Sequence, residues 1–240
     1  MSALLAYRND LARALPKASL HAPPSSGPLE PAVLRNAFKR AMMRRDAEFV
    51  LRAGHTLLNE DPTSLWRFFA RLAFGSFGVA NHREISLLIA AASSKTWRHS
   101  VGGEWRVASF LLEKFLGAPH DRRISRLHSL ATELRGRYLC LGNSQLGRHE
   151  FETTVHQAVA ILQRCTRPVP HTGLVAIDAI ACEATFDEML EAGVAAYDVL
   201  DICRQARRTT RSVKPVLFPL IVHLSSQPQR QVLIKRSDRP

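Results

Sequence analysis

The sequence predicts a mainly α-helical protein built as a multi-helix bundle. Three observations carry that prediction. Apolar residues make up 46% of the 240, enough to fill a core. Only 7% are aromatic, and Ala and Leu are abundant, which favours helix over strand. In the first half of the chain apolar positions recur at helical spacing, and Pro and Gly fall mainly between the periodic segments.

Residues 3–15 have helical composition, with Leu4, Leu5, Leu11 and Leu15 near helical spacing. Pro16 ends that segment. Residues 21–28 then hold three prolines and a glycine, which cannot continue a helix. Residues 1–30 are therefore expected to form an N-terminal arm and a Pro-rich linker.

Residues 31–118 are expected to be one helical domain. Pro31 suits a first helical turn, and that helix should run to about Arg45. A second spans 47–58, with Phe49, Val50, Leu57 and Leu58 for its apolar face. The break at 59–62 ends it. Asp61 is placed to cap a third helix with Pro62 at its first position, followed by Leu65, Phe68, Phe69 and Leu72. Residues 74–78 read as a turn. A fourth helix is expected over 82–97, carrying Ile85, Leu88 and Ile89. Gly102 and Gly103 punctuate it. A fifth spans 104–117, with Val107, Phe110, Leu111 and Phe115.

Residues 119–240 form a second helical region with a basic tail. Helices are expected over 120–137, 149–165, 174–192 and 195–209, with loops at 141–147 and 166–173. The apolar run 216–224 contains Pro219, which suits an irregular helix or an edge strand. Residues 231–234 can pair with it as a short C-terminal β-hairpin.

The charge balance is the unusual feature. There are 33 Lys+Arg against 21 Asp+Glu, a net of +12, and a field of that sign attracts polyanions. Nucleic acid is the commonest such partner, with an acidic protein or an anionic membrane as others. An arginine-rich codon usage is the bland alternative. Arg8, Asp10 and Arg13 interrupt the first fifteen residues, unlike a signal peptide. No apolar run approaches 18 residues, so no membrane span is expected. A cytoplasmic location follows. Cys140, Cys165, Cys182 and Cys203 have no paired spacing of a zinc or redox motif and read as buried, reduced thiols.

No catalytic signature stands out, and no cofactor is implied. The phosphate-cradling G-x-x-x-x-G-K-[ST] pattern does not occur. Residues 142–147 resemble a nucleophile elbow with one residue too many, which makes a plain loop the better reading. Cys140, His149, His156 and Cys165 match no zinc template. Glu183, Asp187 and Glu188 suit a helix start, where carboxylates complement the dipole. Over 185–208, Gly193 separates two helical stretches, with Val199 and Ile202 facing inward as in a helix-turn-helix. The second stretch opens with Ala195, Ala196, Tyr197 and Asp198, poor readers of base edges. A helical hairpin with a basic end is the better reading.

Two basic clusters remain. Residues 201–240 hold nine Lys/Arg and two Asp, among them Arg204, Arg207, Arg208, Arg211, Lys214, Lys235 and Arg236. Clustered cations are what binding to a phosphate backbone requires. Arg35, Lys39, Arg40, Arg44 and Arg45 form the second cluster. Arg35 and Lys39 lie one turn apart, as do Arg40 and Arg44, so a helix presents them as a stripe. A solvated helix face is the alternative. Aromatic residues are not interleaved, which argues against a single-strand stacking platform and for phosphate contact without sequence specificity.

Residues 44–47 match a short helix entry, and residues 54–62, Gly-His-Thr-Leu-Leu-Asn-Glu-Asp-Pro, look like a Gly-Glu-Asp-Pro helix break. Residues 71–85, Arg-Leu-Ala-Phe-Gly-Ser-Phe-Gly-Val-Ala-Asn-His-Arg-Glu-Ile, look like a signature around an Ala-Ser-Glu-Asp-Ile-Gly-x-Ala-Asp-Pro-Arg turn. On these stretches residues 32–118 resemble the C-terminal helical collar region of the RarA/MgsA family of replication-associated AAA+ ATPases. Arg71, Ala73, Gly78, Ala80 and Arg83 are kept. The acidic pair is replaced by Gly75 and Ser76, and the proline by His82. The ATPase core is missing. The resemblance implies a clamp-loader-collar scaffold used for assembly and for standing on DNA.

The sequence reading is thus a non-enzymatic, DNA-associated accessory protein of replication, repair or mobile-element maintenance. It would self-assemble or bind a replication protein through its bundle and touch DNA phosphates through Lys39, Arg40, Arg44, Arg45 and the C-terminal cations. Two alternatives stay open. One is an adaptor for an acidic protein. The other is an enzyme with an unfamiliar site among residues 140–200, around Ser144, His149, His156 and Glu183.

Overall fold

The structure, a computed structural model, describes residues 3–17, 21–24, 29–120 and 197–211. Among them are eight α-helices, one 3-10 turn and no strand. The expected C-terminal hairpin, the helices between 120 and 192, and both loops between them lie outside the described residues.

Helix α1 spans Ala3–Ala14, α2 Pro31–Arg44, α3 Ala47–Glu60, α4 Pro62–Ser76, α5 His82–Ala92, α6 Lys95–Ser100, α7 Glu104–Gly117 and α8 Tyr197–Thr210. The caps follow local chemistry. The Asp46 carboxylate accepts from the Phe49 N–H, and that of Asp61 from the Ser64 N–H. Each satisfies one of the N–H groups a helix start leaves without an internal partner. Pro31 and Pro62 occupy first-turn positions, where the missing N–H costs nothing.

Two expectations are corrected. Residues 74–78 are not a turn throughout, because α4 continues to Ser76. A glycine at 75 weakens a helix without breaking it, and the buried Phe74 and Ser76 hold this turn in the core. The chain turns only at Gly78, whose φ of 55° is one that glycine adopts without strain. The helix expected over 82–97 is two helices. Ser93 ends α5, and the Ser94 hydroxyl caps α6 by accepting from the Trp97 N–H. Serine favours such caps over helix interiors because its hydroxyl competes for backbone groups.

The core lies where α3, α4, α5 and α7 meet. α3 packs on α4 and α7, and α5 on α4 and α7. Phe69, Phe77 and Phe115 are fully buried there. Phe115 meets both others edge to face, with centroids 5.2 and 5.0 Å apart, the arrangement ring quadrupoles prefer. α2 covers α3 and α7, while α8 covers α4 and α5. The N-terminal helix α1 docks on α5 and α8 and buries Leu11, and Leu15 just after it is buried too.

A largely buried ion pair ties α6 to α7 and α4. Glu104 Oε2 accepts from Arg98 Nε and from Trp66 Nε1, both at 2.6 Å. The Arg98 guanidinium also stacks over Trp66 at 4.7 Å, and its Nη1 donates to the carbonyls of Ala91 and Ala92. Arg8 of α1 donates to the Ala90 carbonyl and the Ser93 hydroxyl. Two arginines thus converge on the C-terminal carbonyls of α5, where the helix dipole favours positive charge. Burial, and secondarily the charge of Arg98, lower the Arg8 pKa below its ordinary value.

Candidate nucleic-acid interface

Helix α2 buries Leu34, Phe38, Ala41 and Met42. The opposite side carries the cations. Lys39, Arg40, Arg44 and Arg45 are exposed, and Arg35 is half-buried. The stripe exists because the apolar positions repeat at three- and four-residue intervals, which turns the intervening basic positions outward. Lys39, Arg40 and Arg44 form no ion pair within 4 Å among the described residues. Arg45 is the C-cap of α2, with a left-handed φ of 61°, and its side chain leans toward the Ala118 carbonyl at 3.5 Å.

A shallow groove of about 440 Å³ runs between α2 and the start of α3. Ala37, Ala41 and Phe49 line it, with Arg40 and Arg44 beside them and Asp46 at its edge. Val33 and Met43 stand on the same exposed helix, 52% and 37% accessible. The groove offers cations next to apolar surface.

Helix α8 buries Val199, Ile202, Cys203 and Ala206, as the inward spacing of the sequence requires. Arg208 and Arg211 are exposed, while Arg204 and Arg207 are partly covered and already engaged with other groups. Burial pushes the Cys203 thiol up to about 12, so it is a packing residue and no nucleophile. Lys214, Lys235 and Arg236 lie outside the described residues. So do Ser144, His149, His156 and Glu183, together with Cys140, Cys165 and Cys182. Among the described residues no group of three or more His, Cys, Asp or Glu side chains is placed to hold a metal ion. No helix of the described residues is long and apolar enough to cross a membrane.

The structure therefore separates the arginines into two populations. Arg8, Arg71 and Arg106 donate to backbone carbonyls of distant segments, and Arg98 to those ending the neighbouring α5. Arg106 holds the Pro16 carbonyl through Nε and Nη2, and Arg71 holds that of Thr210 at the end of α8 through Nε at 3.1 Å and Nη2 at 2.6 Å. Part of the basic excess thus serves the fold itself. Lys39, Arg40, Arg44, Arg208 and Arg211 are among the cations that face solvent. The sequence reading missed Arg71 as a neighbour of the α8 cluster because 139 residues separate Arg71 from Thr210. The local signal was only that Arg67 and Arg71 share the solvent stripe of α4.

No family model matches this chain, and neither curated proteins nor solved structures include a significant match to it.

Proposed function

We propose that the protein is a non-enzymatic DNA-associated accessory that grips duplex phosphates without reading sequence, through the exposed cations of α2 and of the end of α8. The observation that carries this reading is the basic face of α2, where Lys39, Arg40 and Arg44 lack anionic partners among the described residues. Cations held on one rigid helix displace counterions from a phosphate backbone together, which is the source of non-specific affinity. The resemblance of residues 32–118 to a replication-associated collar supports the same class of work.

The test is binding of labelled random duplex DNA by Arg40→Glu/Arg44→Glu. Both side chains are exposed, so the fold should survive. The salt slope should become shallower by about two, one phosphate contact for each lost cation. An unchanged slope would remove α2 from the interface.

A second reading, an adaptor for another protein or a second copy, is favoured by one observation. Val33 and Met43 expose apolar surface beside the cations, which phosphates do not use and protein interfaces do. Val33→Ser/Met43→Gln should leave DNA binding intact and abolish any self-association seen by analytical ultracentrifugation. Persistence of that self-association would exclude this face as the contact.

A further inference from the structure

We infer that the seam between α4 and the end of α8 is a phosphodiester-binding site in which Arg67 and Arg71 join Arg208 and Arg211. The inference rests on the DNA reading above and adds residues that reading does not contain.

The bidentate contact of Arg71 with the Thr210 carbonyl fixes the geometry. Thr210 is the last residue of α8, and Arg211 follows it with a left-handed φ of 51°. The Arg71 guanidinium is therefore held beside the backbone from which Arg211 projects, and Arg208 lies less than one turn earlier. Arg71 uses Nε and one Nη on the carbonyl and is itself exposed, so its remaining N–H groups are available to an anion. A planar guanidinium presents five donors in a fixed fork, suited to spanning an acceptor and a phosphate together.

Arg67 stands one turn before Arg71 on the same stripe of α4. It is half-buried, and its Nε is a covered donor with no hydrogen-bond partner. A covered donor without an acceptor is costly, and turning the half-buried side chain outward to an arriving phosphate oxygen would supply one. The opposite edge of that stripe is occupied, since Phe68 packs edge to face on Phe38 of α2 at 5.7 Å. No carboxylate pairs with Arg67, Arg71, Arg208 or Arg211 within 4 Å among the described residues. The exposed carbonyl end of a helix repels anions, and Arg71 covers that end for α8. The seam then presents cations where a bare helix end would present partial negative charge.

The experiment is fluorescence anisotropy of the full chain with labelled random duplex DNA over a salt series. Arg67→Gln and Arg67→Lys are compared with Arg13→Gln, which removes one equal charge from an exposed position on α1. The expected result is a salt slope shallower by about one for Arg67→Gln, and restored in Arg67→Lys. Arg13→Gln should keep the wild-type slope. A wild-type slope in Arg67→Gln, or an equal loss in Arg13→Gln, overturns the seam while leaving the DNA reading standing. Absence of binding by the wild-type chain at low salt overturns both.

Discussion

At the scale of single residues, the most consequential side chains were the least visible in the sequence. Nothing in the spacing of Trp66, Arg98 and Glu104 announces that they meet. Their contact exists only because α4, α6 and α7 are brought together by apolar burial. With Arg98 and Glu104 nearly inaccessible, at 6% and 12% of their side-chain surface, breaking the pair leaves a buried charge unpaired. Arg98→Ala should cost about 3–5 kcal/mol in urea unfolding, and Arg98→Met/Glu104→Leu should recover much of it. Equal losses in both would mean that packing, and not the ion pair, holds this corner. His82 makes a pH prediction. Burial lowers its pKa below the ordinary 6.5, and the nearby Asp198 and Glu84 carboxylates offset this only in part. The folded state then disfavours the proton relative to the unfolded chain. Its stabilising contribution is complete above pH 6.5 and is lost as pH falls from there through the lowered folded value. His82→Asn should flatten the decline in urea midpoint between pH 7 and 5, and an undiminished decline would assign that titration elsewhere.

At the scale of elements, helices and caps were legible, and their ends were less so. Pro31, Asp61 and Pro62 carried start signals that the structure uses as read. Asp61→Ala should cost about 1 kcal/mol in thermal or urea unfolding by orphaning the Ser64 N–H. The split between α5 and α6 was missed because Ser93 and Ser94 are weak breakers in an otherwise periodic run. It is the capping hydroxyl and the two arginines that make the break. Gly75 was misread in the opposite sense, since burial of its neighbours outweighs its poor helix propensity. Gly54 shows a close approach that no periodicity reveals. A Cβ there would meet Leu112 Cδ1 at 2.8 Å and Phe38 Cε2 at 3.4 Å, so α3 lies tight against α7. Gly54→Val should destabilise the bundle by about 1–3 kcal/mol, as read by urea unfolding; no loss would mean that Leu112 moves aside freely. α8 depends on Arg71. Arg71→Ala should raise amide exchange in α8 selectively, and uniform protection across the variant would show that apolar packing alone suffices.

At the scale of the whole molecule, the helical class was legible because composition and periodicity reflect a core made of many small contributions. The candidate interface was legible only where it is local. Lys39, Arg40 and Arg44 form a stripe that one helix displays, so their spacing was sufficient. The α4–α8 seam joins segments far apart in the chain, and only the packed fold brings them together. Net charge alone overstated the available basic surface, because Arg8, Arg98 and Arg106 are engaged with carbonyls. The central claim is that the exposed cations of α2 and of the end of α8 grip duplex phosphates. The measurement that tests it most directly is anisotropy of the wild-type chain with random duplex DNA across salt. The account predicts tight binding at low salt that weakens steeply and linearly on a logarithmic scale, with a slope equivalent to several phosphate contacts and no dependence on sequence. Absence of binding at low salt, or binding indifferent to salt, would contradict it.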